Sequence, residues 1–298
     1  MQESLSRRQF DILSLTAEAA HAYSQRQLEE KLPYSLSSVN RAVRELTERG
    51  LLAQGRATAE GIAALEPYRV KRAIFIAAGF GSRLVPITLN TPKPLVRVHG
   101  KRIIDGLIDA VLAIGVREIV IVRGYLSDQF DQLLYKYPMI QFLENPAYNE
   151  TNNISSAMCA RYLFGNAYVF EADLLIHNPS ILRKYHYCSD FLGVPKARSD
   201  DWCFTVRDGV ITDLKVGGLN CCQTVGISYW SAEDGKKLSG HIKEAYEMPG
   251  GRELFWDQAP LKIFRDEYRV ELLECQEGDV IEIDTFRELK AIDRAYDV

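Results

Sequence analysis

An apolar run, Ala73-Ile74-Phe75-Ile76, leads directly into Ala77-Ala78-Gly79-Phe80-Gly81-Ser82-Arg83-Leu84, and Lys93 follows inside Pro92-Lys93-Pro94. A buried strand that breaks into a glycine-rich turn suits a polyphosphate. Glycines let backbone N–H groups approach the oxygens, while Arg83 and Lys93 supply countercharge. The turn is neither a P-loop nor a dinucleotide fingerprint, because the Gly-Lys-Ser/Thr ending and the third glycine are missing. Two aspartates complete a candidate centre: Asp173 follows the apolar Tyr168-Val169-Phe170, and Asp284 follows Val280-Ile281-Glu282-Ile283. Strand ends that converge on one edge of a sheet would let these distant carboxylates share a divalent cation. The competing reading of each is a helix N-cap, Asp173 for residues 174 onward and Asp284 for residues 285–295.

The loop resembles the Gly-x-Gly-Ser/Thr-Arg…Pro-Lys-Pro segment of nucleotidylyltransferases that join a nucleotide to a phosphorylated small molecule. Over about residues 72–296 the resemblance narrows to bacterial phosphocholine cytidylyltransferases. It is carried further by Ile119-Val120-Ile121-Val122-Arg123-Gly124-Tyr125, the Asn152-Asn153 pair, Asp201-Trp202, Trp256-Asp257 and Glu282-Ile283-Asp284. The resemblance implies transfer of a cytidylyl group from CTP to phosphocholine with Mg²⁺ held by Asp173 and Asp284. Ala77, Ala78, Gly79, Gly81, Ser82, Arg83 and Lys93 would bind the nucleotide together with Gly124 and Asn153, and Lys93 and Arg83 would stabilise charge during transfer. Arg123 departs from the family pattern, which is apolar there, and Pro94 stands where some relatives carry Ala.

The acceptor side is expected around Trp202, Tyr229, Glu253, Trp256 and Asp257, since aromatic faces with nearby carboxylates suit a quaternary ammonium. An aminoethylphosphonate-specific relative would instead use Asp200, Asp201, Glu253 and Asp257 for a primary ammonium. A sugar-1-phosphate nucleotidylyltransferase would need polar hydroxyl readers in place of the aromatics. A transcription factor that only senses a nucleotide is a reading of another class, and retention of both candidate metal aspartates argues against it. No activated nucleophile is required, because a phosphomonoester with its second pKa near about 6 attacks as the dianion. The five histidines therefore need no catalytic role.

The elements that must position these residues fall into two domains, 1–68 and 69–298. Residues 6–20, 24–32 and 35–49 carry apolar side chains at helical spacing, Ser24 and either Ser35 or Ser37 are good N-caps for the second and third, and 51–58 read as a short wing before a helical 59–65. The order resembles a winged helix-turn-helix. Residues 1–70 hold nine Lys or Arg and nine Asp or Glu, a net charge of zero. Phosphate neutralisation usually demands a basic excess, so a dimerisation or regulatory appendage is preferred, with a homodimer left open and DNA binding the less favoured reading. After residue 70, apolar strands alternate with helices, which implies an α/β, mostly parallel, doubly wound nucleotidyltransferase sheet with helices on both faces. Residues 202–207 and 210–216 around Asp208-Gly209 read as a β-hairpin on the substrate side. With 298 residues, 47% hydrophobic and 26% charged, the composition is that of an ordinary globular protein. The polar first residues and the lack of a long apolar run lead to the expectation of a cytoplasmic protein without a membrane span. The six cysteines include no C-x-x-C pair and are expected to be reduced thiols.

Overall fold

The computed structural model describes residues 4–297. The chain forms two compact units, Met1–Arg69 and Val70–Val298. In the first, α1 (Arg7–Ala17) and α2 (Gln25–Lys31) start at Ser6 and Ser24, each in a capping box with a Gln three residues on. Helix α3 (Leu36–Glu48) buries Val39, Ala42 and Leu46, one stripe at helical spacing. The wing is β1 (Leu52–Ala53) paired with β2 (Arg56–Ala57), and Thr58 caps α4 (Ala59–Ala64). Arg41 and Arg44 of α3 are exposed, and Arg44 lies 3.9 Å from Glu48.

The second unit is built on β3 (Arg72–Ile76). After it come a small ribbon of β4 (Arg97–Val98) and β5 (Lys101–Arg102), then α5 (Ile103–Ala113), β6 (Glu118–Arg123) and β7 (Ile140–Glu144). Helix α6 (Ile154–Ala160), β8 (Ala167–Glu171) and β9 (Leu174–Ile176) follow. Strand β3 pairs in parallel with β6 and β8, and β6 in parallel with β7. The apolar run of β3 serves both faces of the sheet. Ala73 and Phe75 pack with Leu107, Ile108 and Val111 of α5, whereas Ile74 and Ile76 pack with Ile154 and Ala157 of α6. Alternation across a pleat that is covered on both sides explains why these strands read as continuous hydrophobic runs.

The expected hairpin is longer than its sequence suggests. Its arms are β10 (Asp190–Arg207) and β11 (Val210–Trp230), which extend the main sheet through antiparallel pairing of β11 with β8. Register shifts between Ser199 and Trp202, and the positive φ of Gly217, bend the arms and interrupt the apolar alternation that marks a strand in sequence. Helix α7 (Ala232–Glu247) leads to β12 (Glu271–Glu274), parallel to β10. Strand β13 (Val280–Glu282) does not join the main sheet; it pairs antiparallel with β9, Glu282 opposite Leu174. Finally, α8 (Phe286–Ile292) is capped by Thr285. Among the described residues no helix is long and apolar enough to cross a membrane. All six cysteines are free thiols.

Candidate active site

The loop after β3 lies against Lys93. Gly81 has φ +62°, and a Cβ there would stand 2.9 Å from Lys93 Cβ and 3.1 Å from Thr88 Cγ2, so both conformation and space call for glycine. Thr88 Oγ1 donates to the Gly81 carbonyl at 2.8 Å and pins the turn. Ala77 and Ala78 tie it to β6 and the segment after it, Ala77 N donating to Val122 O and Ala78 O accepting from Tyr125 N. Ala77, Gly79, Gly81, Ser82, Arg83 and Lys93 share the wall of a cavity of about 230 Å³ with Asn153, Asp173 and Asp284. Gly124 stays outside that wall and acts as a spacer, since a Cβ there would meet the Tyr148 ring at 2.7 Å.

Lys93 is 7% exposed, and its Nζ donates to Asp173 Oδ2 at 2.6 Å and to Asp284 Oδ1 at 3.1 Å. Arg83 Nη2 reaches the same Asp284 oxygen at 2.7 Å. Burial alone would lower the Lys93 ammonium, but the two aspartates outweigh it and hold its pKa above the ordinary value. Burial likewise works against ionised Asp284, yet Lys93 and Arg83 keep its carboxyl below the usual range. Neither aspartate is a helix cap: residues 174–176 are strand β9, and Thr285, not Asp284, accepts the α8 capping bond. Their convergence differs from the expected route. Asp173 follows β8 in the main sheet, while Asp284 is brought beside it by the antiparallel β9–β13 ribbon.

Two further carboxylates stand beside the aspartates: Glu282, the last residue of β13 and already part of the Glu282-Ile283-Asp284 motif, and Glu171, the last residue of β8. Each stands two residues before an aspartate, and that shared spacing is the sequence signal that could have pointed to Glu171, although the chain turns through Ala172 and Asp173 there. Asp173, Glu282 and Asp284 offer carboxylate oxygens all within 4.8 Å of one another. Glu171 accepts from Asn153 Nδ2 at 3.2 Å, and burial followed by the charges of Asp173 and Asp257 raises its carboxyl well above the ordinary range. Glu282 is exposed as a residue, yet desolvation among its neighbours and the charges of Asp173 and Asp284 push its carboxyl the same way. One oxygen of Asp173 is sealed from solvent without a hydrogen-bond partner.

A second cavity of about 260 Å³ shares Arg83, Glu171, Asp173 and Asp284 and is further lined by Asp201, Trp202, Phe255, Asp257 and Glu282. Trp202 meets Phe255 edge to face at 5.8 Å. Asp257 has one buried oxygen with no hydrogen-bond partner, and burial pushes its carboxyl up to about 6. Three expected acceptor residues are elsewhere. The Trp256 indole, 3% exposed, packs on Phe164, Phe191 and Trp230, because in the turn 255–257 it points inward while Phe255 points out. Tyr229 is also core: its ring stacks on His186 at 4.2 Å and its hydroxyl donates to Asn166. Glu253 is exposed and lines neither cavity. Trp256→Phe is therefore expected to lower unfolding free energy by about 1–2 kcal/mol, read by denaturant melts, and to leave acceptor KM within about twofold.

Two family models match the chain, Nucleotidyl transferase over residues 72–187 and MarR family over residues 4–61. A 2-aminoethylphosphonate cytidylyltransferase from Lancefieldella rimae is 36% identical over 229 residues, covering 75% of this chain and 92% of that protein. The chain belongs to the nucleotidyl transferase family. A choline-phosphate cytidylyltransferase from Streptococcus pneumoniae is 30% identical, over 74% of this chain and 96% of its own length. The solved structure of a CTP:phosphocholine cytidylyltransferase from Streptococcus pneumoniae superposes with a TM-score of 0.70 at 30% identity, covering 76% of this chain and 99% of that one. This transferase is thus an enzyme with an α/β nucleotidyltransferase fold and a mostly parallel sheet, preceded by a MarR-type winged helix.

Proposed function

We propose that the enzyme transfers the cytidylyl group of CTP to a small phosphonate or phosphate bearing a primary ammonium, of the 2-aminoethylphosphonate class, with release of pyrophosphate. The observation that carries this reading is the unpartnered buried oxygen of Asp257, in a cavity where Glu171, Asp201 and Glu282 add further carboxylates. An ammonium donates up to three hydrogen bonds and can satisfy such acceptors, whereas a trimethylammonium donates none. The aminoethylphosphonate relative supports the same choice. Phosphocholine is the second reading, favoured by the Trp202 and Phe255 rings, which offer cation–π contact. It is weaker here because Trp256 and Tyr229 spend their faces in the core.

Asp173, Glu282 and Asp284 fit Mg²⁺: they are hard oxygen donors within reach of one another, and Asp173 holds a buried oxygen in reserve. Bound there, Mg²⁺ would neutralise phosphate charge and steady the departing pyrophosphate. The chain's own residues do the rest. Gly79 and Gly81 line the triphosphate cavity, where their backbone N–H groups would meet phosphate oxygens, and Lys93, fixed by two carboxylates, presents its charge without needing to reorganise. Arg83 lines both cavities and would there steady both the triphosphate and the acceptor's anionic group. The dianionic acceptor attacks directly, so no side chain has to remove a proton.

The test is direct competition for CTP between 2-aminoethylphosphonate and phosphocholine, read as the two CMP-linked products. We expect kcat/KM to favour the aminoethylphosphonate by at least about tenfold. A preference for phosphocholine would return the site to its aromatic reading.

A further inference from the structure

We propose that Cys203 and Cys221 form a redox-modification site, an oxidisable dithiol that closes to a disulfide beside the acceptor cavity. Their Sγ atoms lie 3.0 Å apart across the β10–β11 pair. The two thiols differ in access. Cys203 is fully buried, whereas Cys221 is half-buried on the wall of a separate surface cavity that also contains Lys215 and Asn220. A glycine keeps the approach open, because a Cβ at Gly218 would stand 2.9 Å from Cys221 Cβ and 3.2 Å from its Sγ. Burial, together with its bond to Cys221, pushes the Cys203 thiol up to about 11, which suits the resolving partner and not the first to react.

With a peroxide as oxidant the chemistry balances. The Cys221 thiolate attacks one peroxide oxygen; an S–O bond forms, the O–O bond breaks, and the second oxygen leaves as hydroxide and takes up a proton as water. Cys203 Sγ then attacks Cys221 Sγ. The S–S bond forms, the S–O bond breaks, and the departing hydroxide leaves with the Cys203 proton as a second water. A dithiol reductant reverses the closure by thiol–disulfide exchange.

The consequence for catalysis follows from position. Cys203 directly follows Asp201 and Trp202, and Gln223 is one of its two backbone partners across the ladder, the other being Lys215. Gln223 accepts from Ser199 Oγ at 3.0 Å and donates to Asp201 Oδ2 at 3.4 Å. A bond from Cys203 to Cys221 therefore fixes β10 to β11 at the segment that supplies Asp201 and Trp202 to the acceptor cavity. This catalytic half rests on the acceptor cavity proposed above; the cross-link itself does not.

Full-length enzyme is titrated with hydrogen peroxide and mapped by peptide mass spectrometry. We expect a Cys203–Cys221 linked peptide, lighter by two hydrogens, that dithiothreitol abolishes and Cys221→Ser prevents while Cys159→Ser does not. In Cys203→Ala, whose fold is checked by its melting curve, Cys221 should persist as a sulfenic acid trapped by dimedone. Oxidation of Cys221 to the sulfinic acid in wild type without a cross-link, or a disulfide between other cysteines, would overturn the site. The oxidised enzyme should show acceptor KM changed by about threefold or more with CTP KM unaltered. A cross-link that leaves both constants unchanged overturns the catalytic half, and a cross-link in an enzyme that turns over neither acceptor leaves the site standing while the functional reading fails.

Discussion

Lys93→Ala is expected to lower kcat by about three orders of magnitude, roughly 4 kcal/mol of transition-state stabilisation, with acceptor KM changed by less than about threefold. The size follows from where the ammonium sits. It is 7% exposed and held at 2.6 Å and 3.1 Å by two carboxylates, so it enters the reaction already oriented and largely desolvated. A charge in that condition interacts with developing negative charge far more strongly than a lysine in water. Truncation also leaves Asp173 and Asp284 facing each other without their shared cation, and some loss of stability is expected. Lys93→Arg separates the two effects: it restores the charge, and with it much of the stability, but not the position, so kcat should remain low. An effect confined to acceptor KM would place Lys93 outside the triphosphate site.

Most of the scaffold was legible because its signals are local. A run such as Ile119-Val120-Ile121-Val122 reads as a strand covered on both faces, and Ser24 reads as an N-cap, since neither depends on distant residues. The apolar run of β13 was visible, but its pairing with β9 was not. The two strands span three residues each, too few for any period to show, and the ribbon owes its existence to pairing between segments about a hundred residues apart. The same limit applies to the aromatics. Phe255 and Trp256 are neighbours in a turn, and only the packing of Phe164, Phe191 and Trp230 decides which of the two faces the core. Composition alone favours the tryptophan for the site. Glu171 and Glu282 are a different case, because their matching spacing to Asp173 and Asp284 is visible in the sequence, whereas the turn through Ala172 and Asp173 that brings Glu171 beside them is not.

Asp173→Asn and Asp284→Asn should each cost at least about a hundredfold in kcat, by different routes. At Asp173 the change keeps shape and volume but removes a charge from the cluster that would hold Mg²⁺, so the Mg²⁺ concentration for half-maximal turnover should rise along with the fall in kcat. Stability should not suffer much. The Asp173 charge helps push the Glu171 and Glu282 carboxyls above their ordinary range, and removing it relieves that repulsion, which offsets the loss of its contact with Lys93. At Asp284 the change also releases Arg83 and loosens Lys93, both of which bond the same oxygen. That variant should therefore lose affinity for the acceptor as well as turnover, because Arg83 lines both cavities. Initial rates across a Mg²⁺ titration, with melting curves of each variant, measure all of this in one set of experiments. A well-folded Asp173→Asn enzyme with near-normal turnover at limiting Mg²⁺ would remove the metal from this cluster and leave Asp173 as a positioning partner of Lys93.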